Sequence, residues 1–341
     1  MKKLLVILGP TATGKTDLAL YLAKKFNGEL VSCDSRQIYG GLDIGTGKMP
    51  SNSTYEVKRI RPCRSNDIGY WEIDGIKIWM YDVVSPKKQY SVADYVKDAD
   101  RVIGEIRAKG KLPIIVGGTG LYLKAIFEGL PNLAIPVDKK LRNRLAKLSK
   151  AELQEKLKKV SPEKWESLNQ SDRENSRRLI RAIELDISPR RSPYGSPRCE
   201  AGHLRGGVAS YNVLKIGLSA PRKILYQRVD ERVVARINQG MIEEAKKLHG
   251  NGLSLKRMRE LGLEYGVLAD YLEGKIKNKN ELIRIMQNKI HGYVRRQLTW
   301  FKKEKSINWF DITGKDYSLQ IENLVAKWYD SAINKKNAKK N

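Results

Sequence analysis

The chain has 341 residues, with 65 Lys and Arg against 38 Asp and Glu, a formal net charge of +27. Hydrophobic residues make up 41% and charged residues 30%, ordinary for a globular protein of roughly two or three domains with a sizeable core. No apolar run approaches a membrane span, and three scattered cysteines without a C-x-x-C pair argue against structural zinc and a disulfide framework.

Residues 4–8 are an apolar run expected to form a buried first strand. The N-terminus superficially resembles a secretory leader, but no small-residue cleavage site stands between this run and Gly9. Next comes Gly9-Pro10-Thr11-Ala12-Thr13-Gly14-Lys15-Thr16, the G-x-x-x-x-G-K-[ST] pattern of a phosphate-binding P-loop. Its glycines permit a tight turn in which successive N–H groups point into one concavity. The helix expected over 17–26 adds the partial positive charge of its N-terminus. Lys15 supplies a mobile cation, and the Thr16 hydroxyl is a candidate ligand for Mg²⁺. The loop holds a di- or triphosphate such as ATP. By itself it fits kinases, nucleotide hydrolases and other transferases.

Residues 29–33 read as a second strand, and Asp34 stands at its carboxyl end, close to the cradle. Its carboxylate could hold Mg²⁺ through water or accept a proton from an attacking nucleophile. Helix capping is the plain structural alternative. Residues 70–73 and 76–81 flank Asp74-Gly75, a hairpin signal. An amphipathic helix is expected over 91–109. Residues 112–116 form a strand running into Gly117-Gly118-Thr119-Gly120, with a helix from Leu121. Short apolar strands alternating with helices give an α/β fold, a P-loop-type, mostly parallel sheet flanked by helices. Ligands bind such sheets at the carboxyl ends of strands.

The α/β core is expected over 1–130, a helical insertion domain over 131–205, and a return to the core with a helical region over 206–333. A disordered polar tail is expected over 334–341. In the insertion, Asp138 is a candidate N-cap for a basic helix that carries Arg142. A single helix over 172–186 places Arg177, Arg178 and Arg181 opposite an apolar face. Residues 190–207 read as a Pro/Gly/Ser-rich loop. After a strand at 213–218, Pro221 opens a helix to about Asn238 with Arg228, Arg232 and Arg236 spaced by four. Helix is expected over 293–305. There Arg295, Arg296, Gln297, Trp300 and Lys302 mix charge, amide and ring as a nucleic-acid surface does; Trp300 and Phe301 fit ordinary core anchors equally well. The net charge points the same way: a polyanionic partner, nucleic acid before membrane.

Together these residues resemble the tRNA dimethylallyltransferase family. The resemblance spans nearly the whole chain through the P-loop, Asp34-Ser35-Arg36-Gln37-Ile38-Tyr39, the run 41–46, residues 90–95, residues 112–122, Arg181 to Glu184, and Arg296 to Phe301. Free thiols without a disulfide framework make a cytoplasmic protein the expectation. The resemblance implies an enzyme that moves a dimethylallyl group from dimethylallyl diphosphate to the N6 amine of the adenosine just 3′ of a tRNA anticodon. The P-loop would hold the leaving diphosphate with Mg²⁺ at Thr16. Asp34 would bind the adenine amine and act as its base. Contacts to the tRNA anticodon stem-loop would come from Ser35, Arg36, Gln37, Thr119, Arg142, Arg177, Arg178, Arg181, Arg295, Arg296, Gln297 and Trp300.

The family usually has a His pair where this chain has Ile78-Trp79. An Ala-Ile-Gly-Tyr-like segment is replaced by Glu260-Leu261-Gly262-Leu263, and a Thr-Arg pair near Ile290-His291. The stretch 51–75 is long for the family. The resemblance therefore carries no contacts to Asp82, Gly262 or His291. Rival readings are an adenylate dimethylallyltransferase acting on AMP, ADP or ATP, a P-loop kinase for a small metabolite, and a non-catalytic RNA-binding protein.

Overall fold

The computed structural model describes residues 2–49, 55–60, 68–130, 132–133, 135, 137–187, 211–304 and 306–331. The loop expected over 190–207 and the tail over 334–341 lie essentially outside them. The chain divides into two compact units, one formed by Met1–Phe127 with Gly207–Asn341 and the other by Glu128–Gly206. No helix among the described residues is long and apolar enough to cross a membrane.

The first unit contains β1 (Lys2–Leu8), β2 (Gly28–Cys33), β3 (Val57–Ile60), β4 (Tyr70–Ile73), β5 (Ile76–Trp79), β6 (Leu112–Gly117), β7 (Tyr211–Ser219) and β8 (Asn308–Asp311). They form one eight-stranded sheet in the order β3-β4-β5-β2-β6-β1-β7-β8. All pairs from β5 to β8 are parallel, and only β3 and β4 run against their neighbours. Leu4–Leu8 and every residue of β2 and β6 are buried, as expected of strands covered on both faces; β2 buries Glu29 and Ser32 along with its apolar residues. The register pairs Leu8 and Cys33 with Gly117, so the carboxyl ends of β1, β2 and β6 lie side by side.

Asp74 and Gly75 both take positive φ, 53° and 76°, the backbone a two-residue hairpin between β4 and β5 requires. Ser91 closes a capping box with Asp94 and starts the helix Val92–Ala108. The helices Arg222–Asn238, Leu255–Leu261, Leu263–Leu272 and Lys279–Phe301 share a core that includes Val229, Val233, Met258, Leu268, Met286 and Val294. The last of these ends at Phe301 with Lys302 as its C-cap, short of the expected Lys305. β8 comes after it and pairs with β7. Its four residues are too few to leave a periodic signal.

The second unit is helical, with Leu141, Leu145, Leu153, Leu157, Leu179 and Ile183 as its core. Asp138 caps the helix Lys139–Leu145 through Leu141 N at 2.9 Å. The single helix expected over 172–186 is instead two, Gln170–Arg173 and Ser176–Ile187. Asn175 breaks it, because its Oδ1 accepts from Arg177 N (3.1 Å) and Arg178 N (3.3 Å) in place of continued helix bonding.

Glu184 is fully buried in this unit. Its carboxylate accepts from Arg142 Nε (3.0 Å) and Nη2 (2.7 Å), Arg181 Nη1 (2.5 Å) and Asp138 N (2.7 Å). Burial alone would raise its pKa. The two guanidinium groups and the Asp138 N–H outweigh burial and hold the carboxyl below its ordinary value. The stabilisation is therefore present above the ordinary carboxylate range and is lost as pH falls through the lowered value. Glu184→Ala should cost about 2 kcal/mol, less than for a fully buried pair because both arginines are partly exposed. Denaturant titration at neutral pH checks this, and the wild type should converge on the variant in acid.

Candidate active site

The loop between β1 and the helix Lys15–Lys25 is held by close backbone packing. Gly9 has φ 143°, and a Cβ there would lie 2.3 Å from Leu218 O of β7. Gly14 caps the helix in the left-handed conformation, φ 74°. Ala12 has φ 67° without being glycine, a strain of about 1–2 kcal/mol. Pro10 O gathers the loop by accepting from Thr13 Oγ1 (2.9 Å) and Lys15 Nζ (2.6 Å).

Two further strand ends meet it. Asp34 follows β2, and its Oδ1 accepts from Arg36 N at 2.8 Å, fixing the turn that presents it. Thr119, after β6, ties that turn down: its N–H donates to Cys33 O (3.2 Å) and its Oγ1 accepts from Ser35 N (3.1 Å). At Gly117 a Cβ would lie 2.3 Å from Cys33 O, so only glycine admits this approach of β6 to β2.

Lys15, Thr16, Asp17, Asp34, Arg232 and Arg236 line one cavity of about 520 Å³. Arg232 and Arg236 come from one face of the helix Arg222–Asn238. Arg232 Nη2 donates to Thr11 Oγ1 at 2.6 Å, and Arg236 Nη1 to Gly45 O at 3.1 Å. Glu264 stands 3.8 Å from Arg236. Burial pushes Lys15 down to about 7; repulsion from Arg232 adds to this and Asp34 opposes it. Burial, then repulsion from Arg236, lowers Arg232. Burial lowers Arg236 against the pull of Glu264, and burial raises the carboxyl of Glu264 against Arg236. Crowded, desolvated cations of this kind are relieved by a polyanion. The arginines' helical spacing is visible in the sequence, but not the cavity that they face.

The other expected contacts divide. Gln37 is held inside the unit: its Oε1 accepts from Ser32 Oγ (2.7 Å), and its Nε2 donates to Thr46 O (3.3 Å) and Gly47 O (3.4 Å). Gln297 is buried, with its amide on Thr11 N and Gly118 O. Trp300 is half-buried, its ring packed so closely on Gly120 that a Cβ there would lie 2.4 Å from it. Arg295 and Arg296 are exposed, Arg295 donating to Tyr226 OH at 3.1 Å. In the second unit, the donors of Arg142 and Arg181 are engaged by Glu184, and Arg181 Nη2 also donates to Asn132 O and Ile135 O at 3.0 Å. Both arginines thus hold this unit together while their side chains stay about a third exposed. Arg177 and Arg178 are exposed.

Where the resemblance gave no contacts, Asp82 pairs with the fully buried Lys48 and accepts from Trp71 Nε1 at 2.8 Å. Gly262 joins two helices at φ 77°. His291 stacks on Tyr226, with ring centroids 4.0 Å apart.

A phosphate cradle and a strand-end carboxylate on one cavity, at the carboxyl edge of a parallel sheet, define a P-loop α/β protein. Residues 37–304 match the model of the IPP transferase family, and residues 2–67 that of isopentenyl transferases. The chain belongs to the IPP transferase family. It is 33% identical to a tRNA dimethylallyltransferase of Halalkalibacterium halodurans over 95% of this chain and 97% of that one. It is 37% identical to tRNA dimethylallyltransferase 2 of Treponema denticola, over 89% and 94%. A solved tRNA isopentenylpyrophosphate transferase from Bacillus halodurans superposes with a TM-score of 0.66 at 32% identity, covering 99% of this chain and all of that one.

With its pKa pushed down to about 7, Lys15 is the cation expected to give anion binding a pH dependence near neutrality. Sulfate, whose charge is constant near neutrality, should bind more weakly as pH rises through about 7. Lys15→Arg, which cannot lose its proton, should flatten that limb. Calorimetric titration across the range checks both.

Proposed function

We propose that the protein transfers a dimethylallyl group from dimethylallyl diphosphate to the N6 amine of the adenosine 3′-adjacent to the tRNA anticodon, in the cytoplasm. The single observation that carries this reading is that Asp34 and Lys15 line the same cavity, with Arg232 and Arg236 on its wall. A prenyl transfer needs such a pair of features: a cationic cradle for a departing diphosphate and a carboxylate for an incoming amine. The names of the related proteins support the choice of substrates.

The N6 lone pair attacks the allylic carbon while the bond from that carbon to the bridging oxygen breaks. Its electron pair leaves on diphosphate. The alkylated nitrogen then gives up a proton, for which Asp34 is the acceptor. An adenine amine is a weak nucleophile, so orienting it through a hydrogen bond to Asp34 contributes alongside proton removal. Negative charge grows on the leaving group, where Lys15, Arg232 and the loop's N–H groups stabilise it. The target base must leave its stack to reach the cavity. Exposed Arg177, Arg178, Arg295 and Arg296 supply charge for the tRNA backbone.

Mg²⁺ fits these residues. Thr16, Asp17 and Asp34 offer hard oxygen donors on one cavity, and burial raises the carboxyl of Asp17, as expected of an anion short of a counter-charge. Among the described residues no cluster of three or more His, Cys, Asp or Glu could hold a metal. The ion would thus be shared with the diphosphate, the usual arrangement for Mg²⁺. Bound there, it would neutralise charge on the leaving group.

Incubation of tRNA with the protein, Mg²⁺ and dimethylallyl diphosphate, followed by mass analysis of the nucleosides, should yield dimethylallyladenosine. Alkylation of free AMP with none on tRNA would overturn the tRNA assignment. Asp34→Ala should lower kcat by about 10²-fold or more and leave tRNA affinity within about twofold. Equal losses in both would contradict a role for Asp34 in the chemical step.

A further inference from the structure

The helix Lys279–Phe301 carries Tyr293, Gln297 and Trp300 at i, i+4 and i+7, one stripe on its surface. Tyr293 and Gln297 line the cavity, and Trp300 packs on Gly120. Arg295 and Arg296 on the same helix are exposed. Gln297 is only 6% exposed. Its Oε1 accepts from Thr11 N at 3.0 Å, and its Nε2 donates to Gly118 O at 3.1 Å. The orientation of the amide is set by its partners, because an N–H only donates and a C=O only accepts. One side chain therefore joins the P-loop to the loop after β6.

We propose that Gln297 is a positioning residue for the diphosphate site: it fixes the P-loop backbone at Thr11 relative to Gly118, and it is not a tRNA contact. The proposal rests on reading the P-loop as the diphosphate cradle. Preorganisation is the physical reason. A loop whose N–H groups must converge on an anion loses affinity when part of it must be ordered on binding. Thr11 lies in the segment that contains the strained Ala12, so a tether beside it opposes relaxation to a conformation that does not converge. The usual isosteres do not serve both loops at neutral pH. Leucine keeps the volume but bonds neither partner. Ionised glutamate accepts from Thr11 N but sets an anion against Gly118 O and against the ligand. Protonated glutamate has the same donor and acceptor pattern as glutamine.

The test uses inorganic diphosphate with Mg²⁺ as the probe, titrated calorimetrically into the full-length protein, with tRNA affinity measured in parallel. Gln297→Leu should weaken diphosphate binding roughly tenfold, the loss expected for two hydrogen bonds. The KM for dimethylallyl diphosphate should rise by a similar factor, and tRNA affinity should stay within about twofold. Gln297→Glu should be weaker still at neutral pH and should recover toward wild type as pH falls, which a loss of packing alone would not produce.

Gly118→Ala reaches the same tether from the other side, since its Cβ would lie 2.5 Å from Gln297 Nε2. It carries the test if the Leu variant does not fold. The double variant should lose no more than the worse single one. Unchanged diphosphate affinity with weakened tRNA binding would overturn the proposal and return Gln297 to the RNA surface. Absence of diphosphate binding by the wild type would instead overturn the reading of the P-loop, and the proposal with it.

Discussion

The site depends on how closely backbones approach one another at the carboxyl edge of the sheet. A Cβ on Gly9 would meet Leu218 O, and one on Gly117 would meet Cys33 O, each at 2.3 Å. No side chain fits at either place. Because β2, β6, β1 and β7 can close up there, the loops after the first three meet over one cavity. Parallel pairing puts all these ends on the same edge, and ligands bind such edges for that reason. Small bonds then fix the details: Thr119 ties down the turn of Asp34, Pro10 O gathers Thr13 and Lys15, and Gln297 bridges two loops.

The charges on this frame set the chemistry. Lys15, Arg232 and Arg236 are crowded, half-buried, on the wall of one cavity, and each holds its proton less firmly than usual. Such a wall is unfavourable alone and favourable with a polyanion between its members. In phosphoryl transfer it would stabilise a group in flight. In the proposed reaction it stabilises a group that departs intact, so the same P-loop serves a different bond. Opposite charge enters from Asp34 on the same cavity, the proposed partner of the amine, and from Glu264, which limits repulsion around Arg236.

Much of this was legible in the sequence. The P-loop announces itself through fixed spacing and a strand-to-helix context. Asp34 and the Gly117–Gly120 run come directly after apolar strands, which places them at strand ends. The rest depends on partners distant along the chain. Arg142 and Arg181 look like surface cations until Glu184 appears buried between them, because nothing local tells a solvated arginine from a paired one. The spacing of Arg232 and Arg236 shows a shared helix face but not which cavity it meets. Gln297 sits among residues that resemble an RNA surface, yet it points inward on a helix whose other side is exposed. The break at Asn175 is a competition between one side-chain oxygen and helix continuation, too fine for periodicity to show.

The decisive question is which bond breaks in the cavity. Dimethylallyl diphosphate labelled with ¹⁸O at the oxygen that bridges carbon and phosphorus distinguishes the possibilities. After turnover with tRNA, mass analysis of the released diphosphate should find all of the label there, with none in the modified nucleoside and no orthophosphate formed. Label in an organic product, or release of orthophosphate, would mean that the P-loop directs cleavage at phosphorus, and would contradict the leaving-group assignment.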